Sequence, residues 1–399
     1  MSDRSNSQPD AIVVGLDCIT GLQTARALHQ RGVRVTGIAL DRDHFATRTW
    51  CASKVVFAKS GEASLIECLR TLATSDRPVL IPATDTAVLT IAQHGVELAK
   101  VFRIANPDAA SIERALGKVP FARHAEANGI PIPRTRAIES VDEVRRAAGE
   151  LRAPFVLKPD IKSERWTELA AAKVFIAEDA AALERTYERC RDWSDRFVVQ
   201  EWVEGGDDAM YSYYAFIAEN RRIVAECIGH KIRQWPRRTG SGTLSALCDD
   251  PEIRETGRTL LESLQHRGFA TVNMKRDAGT GKLFVIEANV GRPGLGMFVA
   301  EAAGIDMTYL AYRSLASLPL PPAPLARFPN ARWICLKRDL AAALGAWRQG
   351  ELGLVEYLRS LRGVRRSAVF ALRDPLPFLY DVMRLPRQLA RHRSRTDIS

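Results

Sequence analysis

Asn273, Lys275, Glu287 and Asn289 have the types and the spacing of a site that handles phosphates. They lie between Ala270 and Gly296, where two strand-like runs, Thr271 to Arg276 and Leu283 to Ala288, flank Asp277-Ala278-Gly279-Thr280-Gly281-Lys282. A polar connection with glycines where positive φ is needed predicts a β-hairpin. A register pairing Asp277 with Leu283 sets Asn273 opposite Glu287. Alternation of side chains along each strand then gathers all four residues on one sheet face. Oxygen ligands and an ammonium on one face, followed by Gly291-Arg292-Pro293, suit a magnesium–nucleotide site. Mg²⁺ takes hard oxygens and keeps several waters, so one carboxylate and one or two amide oxygens suffice beside phosphates. A solvated hairpin with a conventional polar outer face accounts for the same spacing.

The elements around this hairpin alternate between strands and helices. Ala11 to Gly15 reads as a buried strand, Thr20 to Arg31 as a helix and Val33 to Leu40 as a second strand, a βαβ opening. Gly15 and Gly21 do not make GxGxxG, so a dinucleotide fingerprint is absent. The strand Pro78 to Pro82 leads into Ala83-Thr84-Asp85-Thr86, which either faces a ligand crevice or caps a helix. Ile112 to Asn128 reads as one helix, followed by the stiff crossing Gly129-Ile130-Pro131-Ile132-Pro133, and the first domain boundary falls near here.

Phe155 to Lys158 is a strand closing on a lysine, and Ala172 to Ile176 another. Leu183 to Cys190 is helical, and the buried strand Phe197 to Val203 runs out at Gly205-Gly206-Asp207-Asp208. Tyr211 to Ala218 and Arg222 to Gly229 pair as strands, and Gly229 to Thr243, GHKIRQWPRRTGSGT, reads as a cationic, turn-rich loop. Pro251 to His266 and Glu301 to Leu318 read as helices, with a proline-rich linker from Pro319 to Pro324.

Composition narrows the class. With 399 residues, 46% hydrophobic and 26% charged, the chain has room for two or three domains around a large core. The seven cysteines include no CxxC pair, which argues against a zinc ribbon or disulfide framework and for a reducing cytosol. The first ten residues carry no apolar signal region, and no apolar run approaches a spanning helix. Of the net charge of +10, the segment from Arg327 to Ser399 holds fifteen Lys+Arg against six Asp+Glu, a net of +9. The rest of the chain is close to neutral, so no nucleic-acid partner is expected.

These pieces in this order resemble the ATP-grasp superfamily, and within it the predicted carboxylate–amine ligases. The resemblance covers roughly residues 11 to 320. It rests on Lys118 before a GIPxP crossing, strand-ending Lys158, the QEWVEGGDD segment and the late E-x-N of Glu287 and Asn289. The KIRQWPRRTGSGT and GRPGLG segments narrow the match to one branch. The implied fold is α/β: a Rossmann-like pre-ATP-grasp domain over 11–110 and a two-lobed α+β ATP-grasp domain over 111–320. A disordered N-terminus (1–10) precedes them and a basic helical extension (327–399) follows.

The resemblance implies ATP and Mg²⁺ as cofactors. Lys118 and Lys158 would hold nucleotide phosphates, main-chain groups of Glu201 and Val203 the adenine edge, and Asp207 or Asp208 the ribose hydroxyls. Asn273, Glu287 and Asn289 would hold the metal. Lys231 and Arg233 would meet the γ-phosphate and an acyl phosphate, and Arg292 the tetrahedral adduct. As surface or turn residues they would need no such role; Thr239-Gly240-Ser241-Gly242-Thr243 beside the basic loop favours an anion site.

The implied reaction joins a small-molecule carboxylate to an amine through an acyl phosphate, releasing ADP and phosphate. It needs positioning and charge neutralisation more than a protein nucleophile. No G-x-S-x-G, H-E-x-x-H or P-loop is present. Two departures support an alternative, a nucleotide-binding protein with little turnover that acts as a sensor or membrane-surface scaffold. The interval 160–172, where many relatives carry a glycine-rich flap, holds no glycine, leaving Lys162, Arg165 or Lys173 to close on phosphates. Position 273 is Asn where an acid is frequent, which predicts one tight Mg²⁺ rather than two. The expected location is cytoplasmic, with a peripheral contact to an anionic membrane through the basic tail; the sequence carries no signal for oligomeric state. In that tail, 331–362 is expected to pack as helices with Trp333, Leu336, Leu340, Leu344 and Trp347 buried, while 384–395 stays exposed.

Overall fold

Ala11–Val14 (β1) forms a strand in which every residue is buried. With Val35–Ala39 (β2), Lys54–Phe57 (β3) and Val79–Pro82 (β4) it makes a parallel sheet of order β3-β2-β1-β4. The computed structural model describes residues 8–105, 109–161, 164–170, 173–322 and 325–384. The expected disorder of residues 1–7, Lys162 in the flap and residues 385–395 of the tail therefore lie outside the described residues. Helix Ile19–His29 crosses from β1 to β2 with Leu22, Ala25 and Leu28 turned to the core. Gly15 sits at φ +91°, and a Cβ at Gly21 would lie 2.2 Å from the Gly15 carbonyl oxygen. The two glycines thus serve a close strand–helix approach. After β4, Thr84 caps the helix Asp85–Gln93 by accepting from the Ala87 N–H, the second of the two readings open for that run.

Of the described residues, 8–104 form one compact unit together with 306–322 and 366–384. Buried polar contacts recruit these distant segments. Arg26 donates from Nε to Asp374 Oδ2 at 2.8 Å and from Nη2 to the Asp374 carbonyl at 2.9 Å, and Thr49 Oγ1 adds a 2.6 Å bond to the same carboxylate. Arg103 Nη1 donates to the Ala316 carbonyl at 3.1 Å. The compact units therefore cut the chain differently from the expected 111–320 and 327–399. The expected helix 301–318 is broken at Gly304, φ +85°, into Phe298–Ala303 and Met307–Leu315, and the units divide there.

The second unit, 105–305 with 323–365, holds two antiparallel sheets. Thr135–Ile138 (β5), Phe155–Pro159 (β6), Phe175–Ala177 (β7) and Phe197–Glu201 (β8) are ordered β5-β8-β6-β7. Helices Val141–Glu150 and Ala180–Cys190 close its core through Val144, Leu183 and Tyr187. The expected helix 112–128 is two helices, Ala109–Leu116 and Lys118–Ala127. Pro120 lacks an N–H and its ring would strike the Leu116 carbonyl in a continuous helix, so the chain restarts at Gly117, ψ 131°. Lys118 is thereby the first helical residue.

The larger sheet contains Met210–Ile217 (β9), Ile223–Trp235 (β10), Ser241–Cys248 (β11), Gly268–Arg276 (β12), Leu283–Val290 (β13), Arg332–Ile334 (β14) and Val364–Ser367 (β15). Its order is β13-β12-β9-β10-β11-β14-β15. The expected loop 229–243 is mostly strand: β10 runs on to Trp235 and β11 begins at Ser241. Pairing across the sheet overrides the charge that made this stretch look like a solvated turn. In 331–362 the chain first adds β14, then forms helices Leu336–Arg348 and Leu354–Ser360. Trp333 is buried, but Leu336, Leu340, Leu344 and Trp347 are exposed, while Asp339, Ala342, Ala343 and Ala346 face inward. Asp339 fixes that rotation by pairing with a buried arginine of β10.

Candidate active site

The hairpin β12–β13 sets Asn273 opposite Glu287, through a different register from the expected one. At the turn, Arg276 pairs with Leu283, one residue out of step. A bulge at Ile286 restores the step, so Met274 faces Val285 and Asn273 faces Glu287. Glu287 Oε1 accepts from Asn273 Nδ2 at 3.0 Å and from Asn289 Nδ2 at 3.1 Å. Asn273 Oδ1 in turn accepts from Ser212 Oγ at 2.7 Å. Amide orientation is assigned from such partners. Turned over, the Asn273 amide would donate Nδ2 to Ser212 Oγ and present Oδ1 beside Glu287 Oε1. One carboxylate and two amide oxygens on a half-buried face fit a magnesium ion that keeps water and phosphate ligands. Among the described residues no group of three or more His, Cys, Asp or Glu could hold a metal, so any cation here relies on the amides.

Lys231 lies beside this carboxylate, with Lys173 and Lys275 near Lys231. Lys231 on β10 pairs with Ser245, and burial pushes its ammonium down to about 8, helped by Lys173 and opposed by Glu287 and Asp207. Lys173, exposed and next in sequence after the 160–172 interval, donates to Ser241 Oγ at the start of β11 at 2.7 Å. Lys275 is buried, donates to the Val203 carbonyl at 2.7 Å, and lies 4.0 Å from the Trp202 ring centre. Burial likewise pushes it down to about 8, with Glu204 the main opposing charge. A desolvated ammonium at Lys231, close to Glu287, is one that a bound anion would stabilise.

Arg233 is not part of that face. β10 bulges at Ile232, so Lys231 pairs with Ser245 and Arg233 with Leu244, and the two side chains leave opposite sides of the sheet. Arg233 gives Nε and Nη2 to Asp339 at 2.9 and 2.8 Å, gives Nη1 to Ser360 Oγ at 2.7 Å, and stacks 4.9 Å from the Tyr357 ring centre. The placement of Arg233 near a γ-phosphate is therefore corrected: it is a structural clamp. Asp207 is also engaged, accepting from the Gln234 N–H at 3.1 Å, Gln234 Nε2 at 2.8 Å and the Arg238 N–H at 3.0 Å. Asp208 is exposed, and its carbonyl accepts from His230 Nε2 at 2.6 Å. Of the doubled acid, Asp208 is the one that presents its carboxylate to solvent.

On the small sheet Lys158, 7% exposed, donates to Gln200 Oε1 at 3.1 Å, and Gln200 Nε2 donates to Thr135 Oγ1 at 2.9 Å. Lys118 Nζ donates to the Leu116 carbonyl at 2.8 Å. Asp160 connects the two lysines. Its Oδ1 accepts from the Val119 N–H at 2.8 Å and its carbonyl from the Lys118 N–H at 3.3 Å, two residues beyond Lys158. Arg196 holds the other carboxylate oxygen at 2.8 Å through Nε. The Asp160 link is invisible in sequence, where the K-P-D at the end of β6 is its only trace. In the hinge, the Glu201 N–H donates to the Arg134 carbonyl at 3.0 Å and the Val203 carbonyl serves Lys275. The Glu201 carboxylate accepts from the Arg152 N–H at 3.1 Å and from Arg152 Nη2 at 3.2 Å. Arg292 is half-buried just after Gly291, φ +85°. In the flap interval a helix, Glu164–Leu169, buries Trp166 against Phe175, Trp193 and Phe197. Arg165 of that helix is exposed.

The two sheets, with the hairpin β12–β13 at the edge of the larger one, define a class. The chain aligns with an N5-carboxyaminoimidazole synthetase from Staphylococcus aureus at a TM-score of 0.64 and 15% identity, covering 87% of this chain and 88% of that one. It aligns with the biotin carboxylase domain of the Hydrogenobacter thermophilus 2-oxoglutarate carboxylase, solved with MgADP, ADP and bicarbonate. There the TM-score is 0.63 and the identity 14%, over 82% of this chain and 73% of that one. The chain has the ATP-grasp fold. In sequence it is 25% identical over 245 residues to the D-aspartate ligase of Enterococcus faecium, which covers 58% of this chain and 57% of the ligase. The match thus spans little more than half of that relative. No family model matches the chain.

Proposed function

We propose that the protein is an ATP- and Mg²⁺-dependent ligase joining a small-molecule carboxylate to an amine. The observation that carries this reading is the meeting of Glu287, flanked by two amides, with half-buried Lys231 on an ATP-grasp fold. The carboxylate substrate attacks the γ-phosphate of ATP, giving an acyl phosphate and ADP. The amine then attacks the acyl carbon, its lost proton passing to solvent, and phosphate leaves. Mg²⁺, when bound, neutralises charge on the phosphates. Glu287 and the oxygens of Asn273 and Asn289 hold it. Lys158 on the small sheet and Lys118 at the start of its helix anchor the phosphates, with Asp160 fixing their spacing. Main-chain groups of Glu201 and Val203 meet the adenine, and exposed Asp208, in preference to Asp207, the ribose. Lys231, and Lys173 in place of a glycine-rich flap, face the transferred phosphoryl group, while Arg292 stabilises the adduct oxygen. Similarity to a D-aspartate ligase makes amino acids the first substrates to try.

The test is phosphate release from ATP by the purified protein, with amino acids and sugar acids offered in carboxylate–amine pairs. Release that requires both partners is expected, and Glu287→Gln should lower it about a hundredfold or more while leaving the fold intact. MgATP binding without turnover under any pair would instead identify a nucleotide sensor. Full activity in Glu287→Gln would remove the metal assignment.

A further inference from the structure

The helix Leu336–Arg348 is inverted relative to an ordinary packed helix. Its small residues Ala342, Ala343 and Ala346 face inward, and its large ones face out. Leu336, Leu340, Leu344 and Trp347 follow the spacing of one stripe along that helix, and all four are exposed, Trp347 at 63%. The next helix, Leu354–Ser360, buries none of its residues, and Leu354 is 71% exposed with Val355 and Leu358 beside it. Large apolar side chains clustered in water mark a surface that meets something.

Charge says what that partner is. Lys337, Arg338, Arg348, Arg359 and Arg362 are exposed on the same two helices and the turn that follows them. Between 327 and 365 eight Lys+Arg stand against three Asp+Glu, and all three acids are engaged. Asp339 is buried on Arg233, Glu351 pairs with Arg237, and Glu356 folds back on the Gly353 N–H at 2.9 Å.

We propose that this face seats the protein on an anionic lipid bilayer. The leucines and Trp347 enter the interfacial layer while the lysine and arginines stay with the headgroups. At 13 residues the first helix is too short to span and lies along the surface. A second copy would bring the same cations together across a two-fold interface. A nucleic-acid backbone would gain nothing from exposed leucines.

The experiment is co-sedimentation of the full chain with vesicles of phosphatidylcholine, alone or mixed with phosphatidylglycerol. Binding to the mixed vesicles is expected to be at least about tenfold stronger and to weaken with salt. Leu340→Gln, Trp347→Gln and Leu354→Gln together should reduce it about tenfold or more, while deletion of 385–399 retains most of it. Equal binding by the triple variant, loss of binding on the deletion alone, or equal binding to neutral vesicles overturns the proposal. So does a solution dimer that the triple variant dissolves, in a protein that ignores vesicles. Should the triple variant fail to fold, brominated lipid in the mixed vesicles gives a second reading. It should quench the native protein's tryptophan fluorescence and quench Trp347→Phe much less, and equal quenching overturns the proposal.

Discussion

Lys231 shows what one residue's surroundings do to its chemistry. Its type and neighbours were legible in sequence; its environment was not, because Lys173, Asp207 and Glu287 reach it from other elements. With its ammonium pushed from 10.5 to about 8, two pH dependences of opposite sign follow. Between those values the unfolded chain binds more protons than the folded one at this site, so its contribution to stability rises with pH. Nucleotide binding, which needs the charged form, falls over the same range. Titration of the protein with MgATP or a non-hydrolysable analogue should show affinity dropping ten- to a hundredfold as pH rises past about 8, the loss of one charge-assisted contact of about 1.5–3 kcal/mol. Bound phosphates will move the midpoint upward by stabilising the ammonium. Lys231→Arg should abolish the fall, since guanidinium stays charged throughout. A pH-independent affinity in the native protein would take Lys231 out of the phosphate site.

At the scale of elements, strand pairing was readable and bulges were not. The hairpin β12–β13 was legible from its alternation and glycines, and Asn273 does face Glu287, yet only because Ile286 bulges. A bulge has no reliable sequence signature, as it answers to neighbouring strands. The bulge at Ile232 has the larger consequence: it turns Arg233 away from Lys231 and into Asp339. That pair is wholly buried, and helix Leu336–Arg348 is fixed by it to the back of β10. Removing one partner strands a buried charge, so Asp339→Ala should cost about 3–5 kcal/mol in urea unfolding. Replacing both, as Arg233→Met with Asp339→Leu, should recover most of that loss. Equal destabilisation by the single and double variants would mean that the damage is steric and the ion pair incidental. An Arg233 acting on phosphate would instead show itself as lost nucleotide affinity in a protein of normal stability.

At the scale of the whole molecule, sequence order misleads about which segments fold together. The βαβ opening was legible from local patterns and the α/β class from the family resemblance, but Asp374 gives no local hint that it belongs with Arg26. The link is made by a guanidinium that is 3% exposed and cannot be left without an acid. Thr49 Oγ1 also donates to Asp374, and Gln23 Nε2 donates to the Ala368 carbonyl, so the 366–384 segment completes the polar core of the first unit. The basic tail therefore has two parts with opposite importance for stability. Truncation after Arg384 should leave thermal unfolding of the protein nearly unchanged, since Ala368 and Asp374, which bond Gln23 and Arg26, are retained. Truncation after Ser367 exposes β1–β4 to the loss of Asp374 and should lower the first transition strongly. Asp374→Ala alone should reproduce much of this, at about 3–5 kcal/mol. Calorimetry separates the outcomes, because the second unit, with its own sheets and core, should melt at its native temperature in the Asp374→Ala variant. If both truncations melt like the full chain, the Arg26–Asp374 pair does not hold the first unit together, and the tail from 366 onward is dispensable.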